Sequence, residues 1–188
     1  TADMSFMFAG CAKLSSIDTS LLNTKNVTDM RGMFQSCRSM QSIDVASLDT
    51  SKVADMSYMF SGCTGLTSLD VSSLKTSNAT SMQGLFQSCT SLKTLDLSAL
   101  NTSKVTDMSE MFYNCTSLTS LNLKNVDTSN VASMKSMFSY CQSLPSLDVS
   151  GYDTSKVTDM REMFADCNKL ATLDVSGFDT SNVTDMSE

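Results

Sequence analysis

Apolar residues recur in nine columns of a 26-residue unit, and their spacing changes character within each unit. Leu66, Leu69, Val71 and Leu74 follow L-x-x-L-x-V-x-x-L. Around Leu69-Asp70-Val71 the alternation is that of a short strand, with two side chains inward and the aspartate outward. Val53, Met56, Met59, Phe60 and Cys63 fall instead at i, i+3, i+6, i+7 and i+10, which predicts a short helix. Asp107 with Glu110, and Asp159 with Glu162, place an acceptor at the expected N-cap and a carboxylate three residues on. Gly62 or Asn114 suits the helix end. A helix of about two turns is far below the ~12 residues that are marginal alone. Each unit must therefore draw stability from its neighbours, which is the logic of a solenoid.

The repeat has no insertion or deletion. Cys11, Cys37, Cys63, Cys89, Cys115, Cys141 and Cys167 are spaced by 26 residues throughout, and a phenylalanine, Phe8 to Phe164, stands three residues before each. Thr24, Thr50, Thr76, Thr102, Thr128, Thr154 and Thr180 keep the same interval. The 188 residues hold about seven units and read as a single repeat array over 1–188. Such regularity excludes a conventional globular fold. Two architectures satisfy it. One is an α/β solenoid of the leucine-rich-repeat type, seven 26-residue repeats each with a short strand and a short helix; the other is a β-solenoid. The α/β reading is the expectation, because the strand stretch follows the leucine-rich template L-x-x-L-x-L-x-x-N-x-L. Where that template has asparagine, this chain has Leu22, Leu48, Leu74, Leu100, Val126, Tyr152 and Phe178. The threonine two residues later is expected to supply the missing backbone hydrogen bonds.

The run Leu-Asp-Val-Ser-x-Leu/Phe-Asp-Thr-Ser-Lys/Asn-Val-Thr-Asp-Met-Ser-x-Met-Phe-x-x-Cys, best copied from Leu147 to Cys167, resembles the BspA-like, or mycoplasma-type, leucine-rich-repeat surface proteins. The resemblance covers essentially the whole chain. It implies an extracellular or cell-surface protein, adhesion to host-cell, matrix or microbial surface macromolecules, and no catalytic residues. Both ends fall at the same point of the repeat, so the chain is expected to be a segment of a longer surface protein, without its caps.

Composition narrows the function classes. The chain has 13 basic and 20 acidic side chains, a net charge of −7 and no histidine. No basic stripe is available for nucleic acid. The commonest general base and metal ligand is missing, so an enzyme is not expected and no cofactor is implied. No stretch approaches the roughly 20 apolar residues of a membrane span.

The cysteine column invites a disulfide ladder or a metal stack. No C-x-x-C pair accompanies it, and a disulfide needs Cα atoms about 4.4–6.8 Å apart, which helices stacked at ~10 Å do not provide. Small buried hydrophobes are expected instead. Most of the 15 methionines fill two columns, such as Met56 and Met59, and read as core.

Asp44, Asp70, Asp96, Asp148 and Asp174 point away from the inward strand positions, and Ser68 and Ser72 flank Asp70. These residues form a Ser-Asp-Ser candidate binding face. Carboxylates stacked at ~4.8 Å repel unless hydrogen bonds or cations compensate. A row of weak calcium sites, an acidic docking stripe and a plain solvated face all remain open. A second set, Asp49, Asp127, Asp153 and Asp179, reads as turn formers. Asn122, Lys124 and Asn125 depart from the consensus on the same face and mark a local variation. Tyr152 and Phe178 fill leucine columns and read as core. No row of aromatics lines the Ser-Asp-Ser face, so sugar stacking is not expected there. The functional expectation is a non-enzymatic interaction scaffold or adhesin. The alternative is a structural spacer or filament-forming array that associates with itself end to end.

Overall fold

A 26-residue unit covers its apolar columns only if neighbouring units lie close, and the backbone achieves this by hydrogen bonding rung to rung. The computed structural model describes residues 2–187. One parallel pairing runs through the array: Asp29 bridges Asp55, Asp55 bridges Ser81, and the series continues through Asp107, Ser133 and Asp159 to Asp185. It starts as a strand pair, β1 (Ala2–Asp3) with β2 (Val27–Asp29). On the other extended stretch, β3 (Thr94–Asp96) and β4 (Ser120–Asn122) set Thr94 opposite Ser120, Leu95 opposite Leu121 and Asp96 opposite Asn122. The expected Leu-Asp-Val strand is thus displaced one residue earlier. Aspartate causes this: Asp96 Oδ1 accepts the Ser98 N–H at 2.8 Å and turns the chain.

The expected helix is absent. Among the described residues the only helical element is a 3₁₀ turn, Thr19–Leu21. The segment from Met82 to Cys89 shows what replaces it. Met82, Gly84, Phe86 and Ser88 donate their N–H groups to Asp107, Ser109, Met111 and Tyr113 of the next rung at 2.7–3.0 Å. The alternate residues Leu85, Gln87 and Cys89 donate three residues back, to Met82, Gly84 and Phe86. A helix would satisfy every donor within its own segment; here every second donor faces outward along the array. Gly84 and Ser88 take φ of 57° and 56°, so the chain runs through turns with the left-handed third residue of type II. The supposed capping pair Asp107 and Glu110 is divided accordingly. Asp107 Oδ1 accepts the Ser109 N–H at 2.8 Å, while Glu110 sits at φ 59° as a turn residue. Gly62 and Asn114 are left-handed as expected, at φ 70° and 60°, but within this turn series.

This backbone brings rungs close enough for side-chain ladders. Phe8, Phe34, Phe60, Phe86, Phe112, Phe138 and Phe164 stack with centroids 5.5–6.0 Å apart and planes within 12° of parallel. The methionine columns are buried in the same core, as expected. Cys37 to Cys141 are buried too, and all seven cysteines are free thiols. Helix spacing is not what keeps them unpaired; the six from Cys37 to Cys167 are engaged elsewhere. Cys115 Sγ donates to the Phe86 carbonyl of the preceding rung at 3.2 Å, and Cys63 and Cys89 repeat the contact at 3.1 and 3.2 Å.

The threonine column does what the asparagine ladder would do. Thr76 Oγ1 accepts the Asn101 N–H at 2.8 Å and donates to the Asn101 carbonyl at 2.9 Å. Thr102 repeats both bonds with Asp127.

Two surface columns alternate with a period of two rungs. One reads Asn26, Lys52, Asn78, Lys104, Asn130, Lys156, Asn182, and each lysine Nζ donates to the preceding asparagine Oδ1 at 2.6–2.8 Å. Lysine is never stacked on lysine, which avoids repulsion at rung spacing. The other sets large on small: the Phe6 ring covers Gly32 and the Tyr58 ring covers Gly84.

Candidate functional site

Every aspartate of the Ser-Asp-Ser face closes a turn. Oδ1 accepts the N–H two residues on: Asp44 from Ala46, Asp70 from Ser72, Asp96 from Ser98, Asp148 from Ser150 and Asp174 from Ser176, all at 2.8–3.0 Å. Asn122 Oδ1 does the same for Lys124 at 3.0 Å. The Ser72 hydroxyl, then its N–H, hold the Asp70 carboxyl below the usual carboxylate range. Ser98 acts likewise on Asp96, Ser150 on Asp148 and Ser176 on Asp174. Asp49, Asp127, Asp153 and Asp179 accept from Ser51, Ser129, Ser155 and Ser181, the turn role expected of them.

The face is exposed and opens into two grooves. The first, about 420 Å³, is lined by Ser68, Leu69, Asp70, Thr94, Leu95, Asp96, Ser120 and Asn122. It joins Ser68, Asp70 and Asp96 across two rungs and adds the hydroxyls of Thr94 and, from a third rung, Ser120. Asn122 Nδ2 donates to Asp96 Oδ1 at 3.0 Å, relieving the carboxylate row where aspartate gives way to amide. The second groove, about 570 Å³, gathers Asn122, Lys124, Asn125, Asp148, Ser150 and Tyr152 with their neighbours. Asp44, Ser72 and Asp174 are exposed on the same columns but line neither groove. Asn125 has a local role: it takes φ 69° and its amide donates to the Ser98 carbonyl at 3.1 Å.

No aspartate of this column joins an ion pair among the described residues; those pairs fall at Asp49, Asp159 and Asp185. Among the described residues no three Asp, Glu or Cys side chains gather around a point fit for a metal ion. No described helix is long and apolar enough to cross a membrane.

The family described as "Mycoplasma protein of unknown function, DUF285" matches residues 2–120 and again 86–188. The chain belongs to this family. Its solenoid is similar to two crystal structures. A leucine-rich repeat protein from Bacteroides ovatus shares 20% identity over 96% of this chain and 44% of its own, with a TM-score of 0.61. A leucine-rich repeat protein from Eubacterium ventriosum shares 15% identity over 91% of this chain and 41% of its own, with a TM-score of 0.52. The chain spans less than half the length of either. At these identities the likeness carries the fold, a leucine-rich-repeat solenoid. No curated protein matches the sequence. The mycoplasma-type resemblance read from the repeat is thereby established, and with it the repeat-solenoid fold.

Proposed function

We propose that this DUF285 chain is a non-enzymatic, extracellular interaction scaffold, an adhesin that presents its Ser-Asp-Ser face to a host-cell, matrix or microbial surface macromolecule. The observation that carries this reading is the exposed column of turn-closing aspartates. Each commits Oδ1 to its own backbone and holds the carboxylate in a fixed direction, with hydroxyls from Ser68, Thr94 and Ser120 beside it. Many equivalent weak contacts on one rigid face favour a repetitive or multivalent partner through avidity. The family resemblance supports the surface location and the adhesive role.

The test is binding of the chain to a panel of host-cell and matrix proteins, with and without calcium. A variant carrying Asp44→Asn, Asp70→Asn, Asp96→Asn and Asp148→Asn is the control. Asparagine closes the same turn, as Asn122 does, so this variant keeps the fold while removing charge. Loss of binding in the variant supports the reading; undiminished binding overturns the role of this face. If calcium strengthens binding, the carboxylate row supplies its ligands.

A second reading, an array that associates with itself end to end, is favoured by apolar surface in the terminal rungs. Met160, Met163, Phe164, Leu173, Val175, Phe178 and Met186 line a groove of about 440 Å³, and Phe6, Met7 and Leu21 are exposed in the first rungs. Sedimentation over a wide concentration range separates the two: growth into rods supports this reading, and a monomer at every concentration eliminates it for this chain.

A further inference from the structure

Each junction between rungs repeats one set of contacts. The N–H groups of Phe34, Phe60, Phe86, Phe112 and Phe138 donate to Met59, Leu85, Met111, Met137 and Met163 of the rung ahead at 2.9–3.0 Å. The threonine column serves the backbone of the rung ahead, and each buried thiol donates to the phenylalanine carbonyl of the rung behind.

The two end rungs hold the unmatched halves of this set. In the last rung Phe164 and Asp166 stand at the donor places, and their N–H groups have no acceptor among the described residues. In the first rung the carbonyls of Met7 and Ala9 stand at the places of Met33 and Gln35, which accept from Phe8 and Gly10; no described N–H reaches Met7 or Ala9. Thr154 Oγ1 donates to the Asp179 carbonyl at 2.9 Å, but one rung later Thr180 is exposed and serves no described residue. Its counterpart in the first rung is the backbone of Asn23. The apolar columns are cut open in the same way. Met7 is 52% exposed where Met33 is fully buried, and Val175 is 43% exposed where Val149 is 2%.

These halves differ, and the difference fixes a polarity. Along the phenylalanine stretch the last rung offers donors and the first rung offers acceptors, so a contact between two like ends would set donor against donor or acceptor against acceptor. Last rung against first matches both, and such a contact does not close on itself, so it propagates.

We propose that this chain stacks head to tail on a second copy, the last rung of one against the first rung of the next, in register with the 26-residue repeat. The Phe164 and Asp166 N–H groups donate to the Met7 and Ala9 carbonyls of the second copy. Thr180 serves its Asn23, and its Cys11 thiol donates to the Phe164 carbonyl. Asp3-Met4-Ser5 and Asp185-Met186-Ser187 hold the same place in the repeat, so one segment yields to the other. The tail is the one that yields: Met4 packs against the core, whereas Met186 is 59% exposed. The Met160 and Glu162 donors stay paired, passing from Asp185 and Ser187 to Asp3 and Ser5 of the second copy. The proposal rests on the reading of self-association and gives it a direction and a register.

The test uses two variants of the full chain, Met7→Lys and Val175→Lys, each of which places a charge on one end at an exposed position. Sedimentation is run over a wide concentration range at high salt, which screens Lys169 from the Lys13 brought beside it. The parent is expected to form rods and each variant alone to remain a monomer with the parent's thermal melting behaviour. A 1:1 mixture of the variants is expected to give dimers and nothing longer, because only one good last rung and one good first rung remain. Within that mixture a thiol reagent is expected to label Cys11 of Val175→Lys at least about tenfold more slowly than Cys11 of Met7→Lys. Dimers of either variant alone would keep self-association and overturn the head-to-tail polarity. Rods from either variant, or a mixture that stays monomeric while the parent grows, would overturn the proposed junction. A parent that is monomeric at every concentration would overturn the proposal and the self-association reading together.

Discussion

Thr50 and Lys75 lie 25 residues apart and are joined twice: Thr50 Oγ1 accepts the Lys75 N–H at 2.8 Å and donates to the Lys75 carbonyl at 3.1 Å. One side chain thereby satisfies both backbone groups of a residue in the next rung, at the point where the chain leaves the Ser-Asp-Ser stretch. Buried polar backbone without a partner costs about 1–3 kcal/mol. Thr76→Val keeps the shape of the side chain and removes the hydroxyl that serves Asn101. It is expected to lower stability by about that amount in urea unfolding, while Thr76→Ser retains most of it. Equal losses in the two variants would assign the threonine column to methyl packing instead.

Stability should fall at both ends of the pH range. Burial pushes the Cys63 thiol from 9.0 up to about 12 and raises Cys37, Cys89, Cys115 and Cys141 in the same direction. Above the unfolded value the unfolded chain releases these protons and the folded chain does not, so stability is full below about pH 9 and is lost as pH rises towards the folded values. On the acid side Asp70, Asp96, Asp148 and Asp174 are held below 3.8 when folded by bonds from the serine two residues on, so their contribution is present above that value and disappears as pH falls through the folded values. Urea midpoints against pH should show a plateau with these two shoulders, and Cys63→Ala should flatten the alkaline one. In native buffer a thiol reagent should label exposed Cys11 first and half-buried Cys167 slowly, with the other five reacting on unfolding.

The period, the buried columns and the service of the threonines were legible because each depends on spacing or chemistry that repeats identically. The helix was misread for a physical reason. Val53, Met56, Met59, Phe60 and Cys63 are inward in both a helix and a series of turns, since apolar spacing records which side chains face the core and not where the N–H groups point. The distinguishing signal lies in two outward columns four residues apart, holding Gly32 with Ser36, Tyr58 with Gly62 and Gly84 with Ser88. All six have positive φ. Glycines recurring in mid-segment argue against a helix, but Tyr58, Glu110 and Glu162 in the same column obscure them. The second groove escaped notice because Lys124 and Asp148 belong to different rungs; Tyr152 read as core, and it is buried there.

Gly84 tests that backbone directly. It sits at φ 57°, and a Cβ there would run into Cδ1 and Cε1 of Tyr58. Gly84→Ala is expected to cost about 1–3 kcal/mol from the left-handed conformation and the clash together. In a double-mutant cycle Tyr58→Ala should recover the clash but not the backbone part, leaving a favourable coupling between the two changes. Were this segment helical, Gly84→Ala would stabilise the protein, so the sign alone decides.

Charge along the aspartate column gives the last prediction. Ser72 holds the Asp70 carboxyl low against a smaller repulsion from Asp96, and Asn122 donates to Asp96 Oδ1 at 3.0 Å, adding to the lowering by Ser98. Asn122→Asp would turn that donor into a third stacked carboxylate without disturbing the turn, because aspartate closes it in the other rungs. Its melting temperature should drop at low salt, and the drop should shrink as salt rises and screens the row. Asp70→Asn should also lower the melting temperature slightly, because the bonds from Ser72 outweigh the repulsion from Asp96 and the net effect of this carboxylate is stabilising. A drop in Asn122→Asp that fades with salt would locate the added repulsion in the carboxylate row. A drop indifferent to salt would place it in the turn.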